Sequence, residues 1–89
     1  MTAAQPPRGT WGPYNDEEKE QAARHILWTV GDPRGYRPGS FTEKLLETWA
    51  QADVRNKAKL SRAFPSLGDA LDVLWYEKTE GLVEWAGIK

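Results

Sequence analysis

Eighty-nine residues are enough for one domain, and a chain this short buries only about 60–65% of its unfolded surface, leaving a thin margin of stability. Cysteine is absent, which excludes a disulfide framework and any thiolate zinc site. The formal charge of −1 is far from a nucleic-acid-binding composition, no signal peptide is read at the N-terminus, and no apolar run approaches the ~18–20 residues of a membrane span.

The expected organisation is an extended arm over residues 1–14 followed by a single helical domain over 15–89. The arm, MTAAQPPRGTWGPY, holds three prolines and two glycines and should run extended. Trp11 and Tyr14 are its anchors, so its second half is expected to lie on the helices with Trp11 filling a groove. The alternative is an arm ordered by a partner.

Asn15 is a good N-cap for a first helix, and Asp16, Glu17 and Glu18 favour the positive end of its dipole. Ala22, Ala23, Ile26, Leu27 and Val30 form the buried face, and Gly31 with Pro33 ends it. Trp28 points about 200° away from Ile26. It sits either under the arm or exposed for a partner. The loop Gly31–Gly39 gathers Arg34, Tyr36 and Arg37, suited to phosphate or an acidic partner, or to a solvated turn with the tyrosine packed down. No P-loop pattern accompanies it.

Residues 40–65 carry the strongest helix signals. Ser40 and Glu43 read as a capping box, and Leu45, Trp49, Ala52, Leu60 and Ala63 or Phe64 mark one face, widened by Phe41 and Leu46. Asn56 falls on that face and needs a partner there. With no Gly or Pro from Phe41 to Phe64, the pattern predicts one continuous helix, stopped by Pro65. The competing reading breaks it near Asp53, which can cap a second helix.

Ser66 with Asp69 reads as a weaker capping box for the next helix. Leu67, Ala70, Leu71, Leu74 and Trp75 form its predicted buried face, while Val73 and Tyr76 offer a second surface. Gly81 ends it, and Leu82 and Trp85 in the tail LVEWAGIK dock as a helical turn. The expected fold is thus all-α, a small three-helix domain with an extended Pro/Gly-rich arm and a short C-terminal tail.

Little in the chain points to catalysis. His25 is the only histidine and reads as a surface or boundary residue, and the acids at the helix starts read as dipole-favoured, solvated groups. A chain this small leaves little room for a ligand pocket of about 300 Å³ or more. No catalytic, cofactor or metal residue and no small-molecule substrate is expected. The sharpest charged feature is Arg55, Lys59 and Arg62 on one helix face, with Lys57 beside them. Such a stripe can follow a phosphate backbone, with Arg34 and Arg37 assisting, or can be a solvated helix end. Residues 40–65 hold five bases against three acids, and residues 66–89 two bases against five acids.

The string PGSF-x3-LL-x2-W-x2-AD-x2-N-x2-KL-x2-AFP, Pro38 to Pro65, resembles a pattern in small uncharacterised helical proteins encoded by bacteriophages and prophages. The match covers about a third of the chain. It implies a viral accessory setting and brings no activity or catalytic residues with it; with no membrane span and no signal peptide read, the expected place is the cytoplasm, the host's if the chain is phage-encoded.

The leading expectation is therefore a non-enzymatic protein–protein interaction module, a small phage accessory protein binding a host or phage protein or another copy of itself. Its contact residues are the aromatics outside the helix stripes: Trp11, Trp28, Tyr36, Tyr76 and Trp85. The alternatives are nucleic-acid binding through the basic face and a virion structural component.

Overall fold

Asn15 is where the extended arm turns into the helical domain. The computed structural model describes Arg8–Gly9 and residues 11–88, with side chains from Tyr14 onward. The expected seat of the Trp11 side chain lies outside the described residues. The arm's backbone forms β1 (Arg8–Gly9) and β2 (Trp11–Asn15), joined by a short irregular parallel pairing. Asn15 then caps α1 (Asp16–Thr29): its side chain accepts from the Glu18 backbone at 2.8 Å, and the Glu18 carboxylate accepts from the Asn15 N–H at 3.0 Å.

Gly31 follows the end of α1 with φ +84°, as its place after the stripe predicts. The loop beyond lies directly on the helix end. Asp32 donates its N–H to the Leu27 carbonyl, and Tyr36 donates to that of Arg24. At Gly35 a Cβ would fall 2.0 Å from the backbone nitrogen of Trp28, so only glycine fits.

The central segment is two helices, α2 (Ser40–Gln51) and α3 (Val54–Ala63), and the continuous helix is corrected accordingly. Ala52 leaves helical geometry at ψ 148°, and the Asp53 side chain accepts from the Asn56 N–H at 2.8 Å. A short polar side chain that bonds the backbone locally competes with the helix and wins here. The Ser40 capping box does not form, because the N-cap is Gly39 and Ser40 already lies inside the helix. Asn56 is exposed rather than buried.

Next, α4 (Pro65–Ala86) begins with Pro65 at its first position, so the expected Ser66 cap is displaced and Phe64 takes the N-cap. The helix breaks at Lys78 (φ 66°, ψ −169°) and resumes through Gly81 to a left-handed cap at Gly87. Gly81 therefore does not end it. A small all-α domain with an extended arm results, with four helices among the described residues.

The main packing is α1 on α4. Ala23, Ile26 and Leu27 meet Ala70, Leu67 and Leu82, with Ile88 closing the end. The α3–α4 crossing is tight because Gly68 sits against Ser61, where a Cβ would fall 2.7 Å from its hydroxyl. The backbone of α2 approaches only α3 among the described elements, and α2 reaches the core through Leu46 and Trp49. Phe41 and Phe64, ring centroids 6.0 Å apart, join the start of α2 to the end of α3.

Candidate interaction surface

The loose placement of α2, whose backbone approaches neither α1 nor α4, leaves an open cleft among the four helices, with a volume of about 630 Å³. It is larger than the chain length suggests, which corrects the expectation of little room for a pocket. The α1 wall is Ile26, Thr29 and Val30; α2 adds Leu46, Trp49 and Ala50. On α3 the lining residues are Lys57, Ala58 and Ser61, and α4 contributes a longer wall from Gly68 to Lys78 that includes Asp72, Trp75 and Tyr76.

Trp75 and Tyr76 dominate the mouth, at 74% and 78% exposure. The buried assignment of Trp75 is thus overturned. Its stripe position is real, but α2 makes no close backbone approach to α4, so the ring ends at the rim. Neighbouring residues on a helix point ~100° apart, so Trp75 and Tyr76 together make a broad apolar edge. Just beyond them Lys78 turns its ammonium back onto the Trp75 carbonyl at 3.2 Å.

The five aromatics expected to contact a partner do not form one patch. Tyr76 lies at the cleft. Trp28 is 37% exposed, with the Arg37 guanidinium 5.7 Å from its ring centre. Tyr36 is exposed on the loop, with Arg24 stacked on it at 4.5 Å. Trp85 is half-buried against the core beneath Lys19, and its ring N–H is buried without a hydrogen-bond partner among the described residues. The Trp11 side chain lies outside the described residues.

The proposed phosphate contacts also separate. Arg55, Lys59 and Arg62 share the outward face of α3, whereas Lys57 turns to the cleft side; all four are exposed, and none has an ion pair among the described residues. Arg34 is committed elsewhere. It grips Asp32 through two hydrogen bonds at 2.8 and 2.9 Å and reaches Glu80 at 2.9 Å. The side-chain and backbone hydrogen bonds from Arg34 hold the Asp32 carboxyl down to about 2. Glu80 is likewise held below the ordinary carboxylate range by Arg34, whose own pKa is raised by both acids. Arg37 lies 3.9 Å from Glu43.

His25 is half-buried on α1, and burial pushes its pKa below the ordinary value. Among the described residues no group of three or more histidine or carboxylate side chains gathers to hold a metal ion, and no helix is long and apolar enough to cross a membrane. What the surface offers is an apolar concavity with a two-signed rim.

The sequence places Trp75 on a buried face, Lys57 beside the basic stripe and Asp72 among the solvated acids of a helix start; the structure brings all three to the cleft. One signal was available for the first: five tryptophans exceed what so small a helical core can seat. Compared with protein-family models, curated proteins and solved structures, the chain finds no match in any of the three.

Proposed function

We propose that the chain is a non-enzymatic protein–protein interaction module whose contact surface is the cleft edged by Trp75 and Tyr76. The observation that carries this reading is a pair of large aromatics left three-quarters exposed beside a half-open apolar cleft of about 630 Å³. Apolar patches of this kind on small chains usually mark contacts, and tryptophan and tyrosine are the residues on which binding energy concentrates. The resemblance of Pro38–Pro65 to phage-encoded proteins supports an accessory role towards a host or phage protein in the host cytoplasm.

The test is a paired capture from expressing cells, using the parental chain and a Trp75→Ala, Tyr76→Ala variant as baits. A protein enriched by the first and lost from the second supports the reading. Identical capture profiles, with both baits folded by circular dichroism and no self-association that the variant abolishes, would remove it.

A second reading, nucleic-acid binding, is favoured by the four cations of α3, none of which has an ion pair among the described residues. It expects a gel shift that weakens steeply with salt and with Arg55→Ala, Lys59→Ala and Arg62→Ala. No retardation at low salt would dispose of it.

A further inference from the structure

The charges around the cleft mouth are arranged by wall. On α3 the charged residue at the cleft is Lys57; the helix holds no acid, and its other cations, Arg55, Lys59 and Arg62, lie on the outward face. The facing part of α4 places Asp72 in the cleft and exposes Glu77 beyond it. Lys78, the one cation on that wall, is turned back onto the Trp75 carbonyl. An acidic ligand filling the mouth would meet Asp72, and a basic one would meet Lys57. A surface positive on one side and negative on the other is instead complementary to itself after a half-turn.

We infer that the occupant of the cleft mouth is a second copy of this chain, bound about a two-fold axis that runs through the mouth. The inference rests on reading the cleft as an interaction surface and names what fills it. The half-turn lays the α3 wall of each copy over the α4 wall of the other. Lys57 of each copy then faces Asp72 of the other, twice per dimer. The same rotation brings Trp75 and Tyr76 of each copy over the other's apolar mouth, removing from water the two most exposed aromatic rings of the described residues. No covalent step and no further ligand is involved.

Charge reversal tests this directly. In Lys57→Glu both cross-pairs become acid against acid, and in Asp72→Lys both become base against base. When the two variants are mixed, each copy supplies the charge that the other lacks, and both pairs are restored. Sedimentation velocity on the full chain should show a concentration-dependent dimer. Each variant alone should be weakened at least tenfold in self-association, and the equimolar mixture should regain the parental behaviour. Trp75→Ala should be monomeric, with a thermal melt that matches the parental chain's at concentrations too low for the parental chain to associate. A parental chain that stays monomeric at every concentration overturns the inference, as does a dimer that both charge variants leave intact or that the mixture fails to restore. If the chain is monomeric while the Trp75→Ala, Tyr76→Ala bait still loses a captured protein, the second copy is refuted and the interaction surface stands. Loss of neither refutes both.

Discussion

The Tyr14 hydroxyl donates a hydrogen bond to the Asp69 carboxylate, joining the extended segment before α1 to the first turns of α4 across 55 positions of sequence. The tyrosine ring is itself buried, so this contact fixes the arm's last residues onto the bundle. Tyr14→Phe keeps the ring and removes the donor. Hydrogen bonds to charged groups contribute roughly 1.5–3 kcal/mol, and partial exposure of Asp69 places the loss near the lower figure, about 1.5 kcal/mol. Urea denaturation checks this; an unchanged midpoint would show that the arm is held by its apolar contacts alone.

Lys78 holds a backbone conformation that side-chain-bearing residues rarely adopt. Such a residue costs about 1–3 kcal/mol, whereas glycine's extra unfolded-state freedom costs roughly 0.5–1 kcal/mol. We predict that Lys78→Gly raises stability by about 1 kcal/mol and that Lys78→Ala, which keeps the strain, does not. Thermal melts of the two variants settle it, and a gain from alanine equal to that from glycine would locate the effect in the side chain.

Asp32 gives the loop an acid-sensitive contact with Arg34, which in turn reaches Glu80 on α4. Its folded pKa, about 2, lies below the ordinary value of 3.8, so the stabilisation is fully present above pH 4 and is lost as pH falls towards 2. Asp32→Asn should lower the melting temperature at pH 7 and flatten its decline between pH 4 and 2. A variant curve parallel to the parental one across that window would mean that the Arg34 contact contributes nothing in solution.

Two tryptophans with similar stripe positions should respond in opposite ways. Trp49 is 5% exposed, so Trp49→Ala should cost roughly 3–5 kcal/mol. Trp75→Ala should stay within about 0.5 kcal/mol of the parental chain. Comparable losses at both sites in chemical denaturation would place Trp75 in the core and close the cleft.

Much of the fold is legible in the sequence where one local signal decides. The Asn15 cap, the Gly31 stop and the stripe from Ala22 to Leu27 fix α1 without reference to anything distant. The break at Ala52–Asp53 is legible only as the competing reading, because no Gly or Pro announces it and the capping preference of Asp53 stands against an uninterrupted apolar stripe. At Ser40 the boundary shifts by one residue because Gly39 starts the helix without a side-chain bond. The kink at Lys78 leaves no mark in residue types. The cleft is harder still, since periodicity says which residues share a face and nothing about whether a second helix arrives to cover it. Periodicity therefore places Trp75 on the apolar face, and only the count of five tryptophans signals that some ring stays outside the core.

Solvent paramagnetic relaxation at the tryptophan ring N–H groups tests the central claim most directly, with a soluble paramagnetic probe added to dilute, isotope-labelled protein. An open cleft predicts strong broadening of the Trp75 signal together with protection at Trp49 and at the buried ring N–H of Trp85. A Trp75 signal as protected as that of Trp49 would mean that the helices close over α4, and the proposed contact surface would not exist.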